Sequence, residues 1–208
     1  MLDVEGFILV GGASSRMGAD KSGLVFGNRT AVECIATELS SVASGISLVG
    51  TQQAQPKLGL KNVPDTHLRW GALGGIHTSL AACQAEWAAV VACDLPFVTR
   101  DLFLRLLQLA QIDQSPPPDA VVPIQPDLRP QPLCGLYRRQ PCLIQTERLI
   151  AAGEHTPRAL LAAVRTRWVE FNELADLPAA EHFFFNVNTP TDYEQAKQIA
   201  QRLQSHSR

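Results

Sequence analysis

The chain has 208 residues, enough for one well-buried core and marginal for two. Apolar residues make up 46% and charged residues 18%, an ordinary globular composition that excludes a disordered chain. A formal net charge of −2 gives no long-range pull toward nucleic acid or anionic membrane, so any bound anion must be held by a local site.

The opening "MLDVEGFILV" carries acids where a secretion signal needs basic residues, and its apolar run is short. Nothing approaches a membrane span, so a soluble cytoplasmic protein is expected. Gly6 to Val10 read as a short buried strand bounded by glycine. After a glycine loop, "TAVECIATELSSV" sets Val32, Ile35 and Leu39 at helical spacing, with Thr30 as N-cap. "ISLVG" is a second strand, and "LKNVPD" a short third ending at Asp65. "GGIHTSLAACQAE" places Ile76, Leu80 and Cys83 on one helical face. "WAAVVACDLP" is the clearest buried strand and terminates at Asp94. Thr99 or Asp101 then caps "DLFLRLLQLAQI", whose Phe103, Leu106, Leu107 and Ala110 form one apolar stripe.

The proline run "QSPPPD" reads as a loop between two halves, about 1–112 and 119–204, of one domain over 1–204, since neither half could build its own core. Strands at "DAVVPI" and "PLCGLY" follow, then helical "CLIQTERLIAAG", a strand around "RWVEF" and a helix from Thr191 to about Gln204. Residues 205–208 read as a frayed tail. The five cysteines (Cys34, Cys83, Cys93, Cys134 and Cys142) are scattered among apolar neighbours with no CxxC, as reduced core cysteines are. Strands alternating with helices predict crossover connections, hence a Rossmann-like three-layer α/β/α fold with a mostly parallel central sheet.

Ligands of such sheets bind beyond the carboxyl ends of the strands. Two candidates fall there: the loop after the first strand, in "ILVGGASSRMGADKS", and Asp94. The loop is not a Walker A motif, because Ala19 and Asp20 separate Gly18 from Lys21, and GxGxxG is absent. Gly11 and Gly12 still let backbone N–H groups approach a phosphate, Arg16 offers a planar fork and Lys21 a mobile charge. A tight turn with solvated charges is the alternative, but few turns need GG, RMG and DK within eleven residues. His67, His77, His155, His182 and His206 show no metal-ligand spacing, and no Ser/His/Asp set is legible.

"LVGGASSRMGADK" resembles the signature LAGG-x-S-x-RMG-x-DK of the nucleoside-triphosphate transferases that build molybdenum cofactors, and within them the guanylyltransferases joining GMP to molybdopterin. "GALGGI", "ACDLPFV", "QPLCGLY" and "FFNVNTPTDY" follow in that family's order, so the resemblance spans nearly the whole chain. It implies a nucleotide-diphospho-sugar transferase-like fold, and a nucleotide carried on the backbone of Leu9, Val10, Gly11 and Gly12. Val10 replaces the usual alanine, and its larger side chain would have to point into the sheet. The resemblance assigns triphosphate charge to Lys21, shared by Arg16, and Mg²⁺ to Asp94; a single carboxylate opposite a triphosphate suits that ion. It assigns nucleotide binding to Asp65, which equally fits a turn after Pro64. "GALGGI" matches a glycine-rich loop, usually GPLAG, packed under the nucleoside, which brings in Gly74 and Gly75; Ala72 and Gly74 replace the usual proline and alanine. Asn186 and Asn188 fall where the family keeps polar groups near metal and acceptor, while Asn188-Thr189-Pro190 is also a good helix start.

Apart from the resemblance, Arg129 and Arg158, on loops of the second half, are candidates for the acceptor's phosphate, with plain surface arginines as the alternative. The expected substrates are GTP and molybdopterin; other molybdenum-cofactor proteins are candidate partners, nucleic acid and membrane are not. The expected reaction is in-line displacement at the α-phosphorus, expelling pyrophosphate. Three rivals stand. A CTP-dependent molybdopterin cytidylyltransferase fits the family, though LAGG relatives tend to use GTP and LAAG relatives CTP. A sugar-phosphate nucleotidyltransferase would need a longer chain. A non-catalytic nucleotide-binding regulator has less need of Arg16, Lys21 and Asp94 together.

Overall fold

The computed structural model describes residues 2–10, 23–50, 59–67, 70–112 and 115–206. Strand β1 (Val4–Leu9) leads toward a small hairpin, β2 (Val25–Phe26) and β3 (Arg29–Thr30), whose turn carries Gly27 at φ +66°. Helix α1 (Ala31–Leu39) starts on a capping box. There Glu33 N–H donates to Thr30 Oγ1 at 3.2 Å, and Thr30 N–H to Glu33 Oε2 at 2.6 Å. Such a cap is worth about 0.5–2 kcal/mol against alanine. Then come β4 (Ile46–Val49), β5 (Lys61–Val63), α2 (Gly71–Ala82) and β6 (Trp87–Ala92). Helix α3 (Arg100–Gln111) is capped by Thr99, whose hydroxyl accepts from Leu102 N–H at 3.3 Å. The second half holds β7 (Ala120–Pro123), β8 (Cys134–Arg138), α4 (Arg139–Ala151), α5 (Pro157–Ala163), β9 (Thr166–Val169) and α6 (Pro190–His206).

Seven strands form one sheet in the order β5-β4-β1-β6-β8-β7-β9. The pairs β5–β4, β4–β1, β1–β6 and β7–β9 are parallel, while β8 is antiparallel to both β6 and β7. Two reversals bring β7 and β9 back to the direction of β1 and β6, so among the described residues six strands end at the same edge and only β8 begins there. Period-two alternation along β1 splits the core. Ile8 and Val10 join the layer with Ile35, Leu39, Phe103 and Leu106, under α1 and α3. Phe7 and Leu9 join Ile76, Leu80, Tyr137 and Leu160, under α2, α4 and α5.

The mostly parallel three-layer sheet agrees with the sequence reading. The hairpin, α5 and the inverted β8 do not figure in that reading, and α6 runs on to His206, past Gln204 into the residues expected to fray. Pro157 at the first turn of α5 was the available signal. Strand direction had none, because a buried run such as "CGLY" reads alike in either orientation.

Candidate active site

The shared strand edge gathers the segments that the sequence singles out. Val10 N–H donates to Val49 O at 2.8 Å, which fixes the last residue before the glycine loop against β4. Val10 is only 3% exposed and packs into the core layer under α1 and α3, so its side chain points inward, as a residue larger than alanine must here. Cys93 N–H donates to Leu9 O at 3.0 Å, so the turn carrying Asp94 is bonded to the start of the loop. Asp94, half-buried, in turn accepts from Val187 N–H at 2.9 Å through its backbone oxygen. That bond brings the Asn186–Asn188 segment to the same corner. Gly11, Gly12, Arg16 and Lys21 lie outside the described residues.

The Asn188-Thr189-Pro190 run does start a helix. Asn188 and Thr189 N–H groups both donate to Asp192 Oδ2, at 2.9 and 2.8 Å, and Asp192 N–H returns to Thr189 Oγ1 at 3.1 Å. Asn186 Nδ2 donates to Phe184 O at 3.0 Å. A place beside Asp94 and a role in starting α6 are thus compatible.

On the other face of the sheet edge, Asp65 follows β5, and its Oδ1 accepts from His67 N–H at 2.9 Å and from Thr78 Oγ1 at 3.1 Å. The first bond is an Asx turn and the second ties that turn to α2. For "GALGGI" the resemblance implies a loop and the apolar spacing a helix from Gly74; residues 71–76 are the first turns of α2, so the helix holds and begins three residues earlier. Two glycines in a helix cost about 1 kcal/mol each relative to alanine, and close approach explains them. A Cβ on Gly74 would stand 2.9 Å from Trp70 Cβ and 3.1 Å from His67 O, and one on Gly75 would stand 2.9 Å from Leu9 Cδ1. The helix therefore lies tight against β1 and the 67–70 turn.

An aromatic group also collects here, which spacing alone did not announce. The His67 and His77 rings meet edge-on at 4.5 Å, and Trp70 stacks on His155 at 4.0 Å. Burial, then the neighbouring His67, lowers the His77 pKa, with Glu147 and Asp65 opposing. The stack joins the start of α2 to the α4–α5 turn.

The two arginines stand apart in kind. Arg129, exposed in the β7–β8 loop, already pairs with Asp127 at 2.5 Å. Arg158 is not on a loop as expected but exposed in the first turn of α5. Among the described residues no group of three or more His, Cys, Asp or Glu side chains is placed to hold a metal.

The end of β1 and the turn carrying Asp94 thus meet at one edge of the sheet. The family model of the MobA-like NTP transferase domain matches residues 6–168. The chain belongs to that family. A probable molybdenum cofactor guanylyltransferase of Pelotomaculum thermopropionicum is 33% identical over 202 residues, covering 97% of this chain and 95% of the relative. A second, from Carboxydothermus hydrogenoformans, is 31% identical over 192 residues, covering 92% and 94%. The molybdopterin-guanine dinucleotide biosynthesis protein A of Archaeoglobus fulgidus superposes with a TM-score of 0.78 at 24% identity, covering 95% of this chain and 99% of that one. The 2-C-methyl-D-erythritol 4-phosphate cytidylyltransferase of Thermus thermophilus reaches 0.69 at 19% identity, covering 96% and 100%. At those identities the superpositions speak for the α/β fold alone. The family match and the two relatives cover both halves of the sheet.

Proposed function

We propose that this MobA-like transferase moves GMP from GTP to the phosphate of molybdopterin, releasing pyrophosphate and forming the guanine dinucleotide. The reading is supported by relatives named for that activity along nearly the full chain. The observation that supports a site is the Cys93–Leu9 bond, which ties the turn carrying Asp94 to the last residue of β1.

The acceptor needs no general base. A phosphate monoester has a second pKa of about 6, so near neutrality it is largely dianionic and already nucleophilic. What the chain must supply is orientation and charge. Leu9, Val10, Gly11 and Gly12 present backbone to the nucleotide, Asp65 and the first turns of α2 flank it, and Arg16 and Lys21 counter the triphosphate. Mg²⁺ prefers one or two carboxylates together with phosphate oxygens and water, so the half-buried Asp94 is the residue that would hold it. When bound, that ion supplies charge neutralisation at the phosphates. Asn186, Asn188, Arg129 and Arg158 are the candidates for the acceptor side, with Arg129 having first to leave Asp127.

No helix among the described residues is long and apolar enough to cross a membrane, and a cytoplasmic enzyme is the proposed setting. The test is incubation with molybdopterin, Mg²⁺ and either GTP or CTP, reading pyrophosphate and the dinucleotide. Product with GTP supports the proposal, and product with CTP alone replaces it by the cytidylyl reading. Asp94→Asn should lower turnover by at least about 10²-fold, the scale of losing a main electrostatic stabiliser, with melting unchanged. Full activity in that variant removes the metal role.

A further inference from the structure

A hydroxyl inside a helix commonly bonds back to the carbonyl one turn earlier. Thr37 donates to Glu33 O at 2.8 Å, Ser79 to Gly75 O at 2.8 Å and Thr146 to Cys142 O at 2.9 Å. Thr78 of α2 departs from this. It is 1% exposed, and its hydroxyl reaches out of the helix to the segment after β5, donating to Asp65 Oδ1 at 3.1 Å. A carboxylate oxygen only accepts, so the single Thr78 hydrogen lies on that bond. The Thr66 hydroxyl, 3.0 Å from Thr78 Oγ1, is therefore the donor in its own contact, and Thr66 N–H donates to the same oxygen at 3.3 Å. One buried hydroxyl thus fastens the 65–66 turn to α2.

The consequence falls on the Asp65 carboxylate. Oδ1 takes two donors, His67 N–H at 2.9 Å and the Thr78 hydroxyl. Oδ2 accepts from no described residue and is not sealed from solvent. An Asx turn needs only the first of those bonds. The second is a tether to a helix that is itself held close against Leu9 of β1 at Gly75. Because β5, β4 and β1 run parallel, Asp65 stands at the same sheet edge as the end of β1. One oxygen of this acid is occupied and the other is left to a ligand.

We infer that Thr78 is a positioning residue for nucleotide binding: it fixes Asp65 by Oδ1 so that Oδ2 can accept from a neutral O–H or N–H of the nucleoside. This rests on the guanylyl-transfer reading for bringing a nucleotide to Asp65. A carboxylate repels phosphates and only accepts hydrogen bonds, so the nucleoside is the part of GTP that it can serve. Ribose hydroxyls and guanine N–H groups share that chemistry. An acid already held by one oxygen loses less side-chain freedom on binding than a free one, and affinity gains by the difference.

The test measures GTP binding at equilibrium, without acceptor, in two variants. Thr78→Val keeps the shape and loses the hydroxyl, while Thr78→Ser keeps the hydroxyl and loses a buried methyl. Thr78→Val should raise the GTP Kd about five- to tenfold, the worth of one ordinary hydrogen bond. In turnover the loss should appear in the KM for GTP, with kcat and the molybdopterin KM within about twofold, as for binding shared by ground and transition states. Thr78→Ser should bind GTP within about twofold of wild type although its Tm falls, because the emptied methyl site costs stability. Thr78→Val added to Asp65→Ala should weaken GTP no further, since the tether then holds nothing. Among 2′-deoxy-GTP, 3′-deoxy-GTP, ITP and N1-methyl-GTP, the analogue whose penalty shrinks in Thr78→Val names the nucleoside group that Asp65 meets. The inference is overturned by unchanged GTP binding in Thr78→Val, by affinities that follow Tm across the two variants, by additive losses with Asp65→Ala, or by undiminished penalties for every analogue. A wild-type protein that binds GTP but makes no dinucleotide ends the transfer reading while the variants still judge Thr78. A wild-type protein that does not bind GTP overturns both.

Discussion

Single residues at the edge of this sheet show how environment decides chemistry. Asp94 and Asp65 are both acids after strands; Asp65 spends one oxygen on His67 N–H and Thr78, while the turn carrying Asp94 is bonded through its backbone to Leu9 and Val187. His77 shows burial acting on a base. Removal from water, then the charge of His67, pulls its pKa below the ordinary 6.5. A base depressed in the folded state contributes stability that is present above its unfolded value and is lost as pH falls through the folded value. The His77 resonances should therefore titrate below the ordinary histidine value in an NMR titration. The unfolding free energy should decline as pH drops below about 6.5, and His77→Leu should lack that part of the decline. A His77 that titrates at or above the ordinary value contradicts this account.

Helix α2 is the element on which the two faces of the site meet, and its glycines are set by contact rather than by turn chemistry. They can be ranked. At Gly75 an added methyl meets the tip of Leu9, which can rotate away, whereas at Gly74 it meets Trp70 Cβ and a backbone carbonyl, which cannot. Gly74→Ala should cost about 1–3 kcal/mol of overpacking strain, and Gly75→Ala less. At roughly 2–4 °C per kcal/mol for a chain of this size, thermal melts resolve the difference. Equal melting temperatures would show that the 67–70 turn yields as easily as a side chain. The same helix marks a limit of reading from sequence. The family resemblance implies a loop at "GALGGI" and the apolar spacing a helix from Gly74, and the structure continues the helix back to Gly71.

At the scale of the whole molecule the two core layers are the stabilising mass, and the thiols report on them. Burial pushes Cys83, Cys134 and Cys142 up to about 12, so each stays protonated and shielded at ordinary pH. In maleimide labelling near pH 8 followed by peptide mapping, none of the three should react in the native protein and all should react in denaturant. Rapid native labelling of Cys134 would mean that the β6–β8 junction opens readily, against its central place in the sheet.

Much of this was legible from residues alone. The buried run "WAAVVA", the Thr30 cap with Glu33 three residues on, and the Phe103–Ala110 stripe each state a local period or a local hydrogen bond, and such information is carried by neighbours in the chain. Sequence also put the end of the first strand and Asp94 at one edge, because strand ends of a parallel sheet share it, and the Cys93–Leu9 bond joins the two. What only the tertiary structure decided concerns partners far apart in sequence. The inversion of β8 follows from pairing across the sheet, and the tight fit at Gly74 and Gly75 from the approach of Leu9, His67 and Trp70.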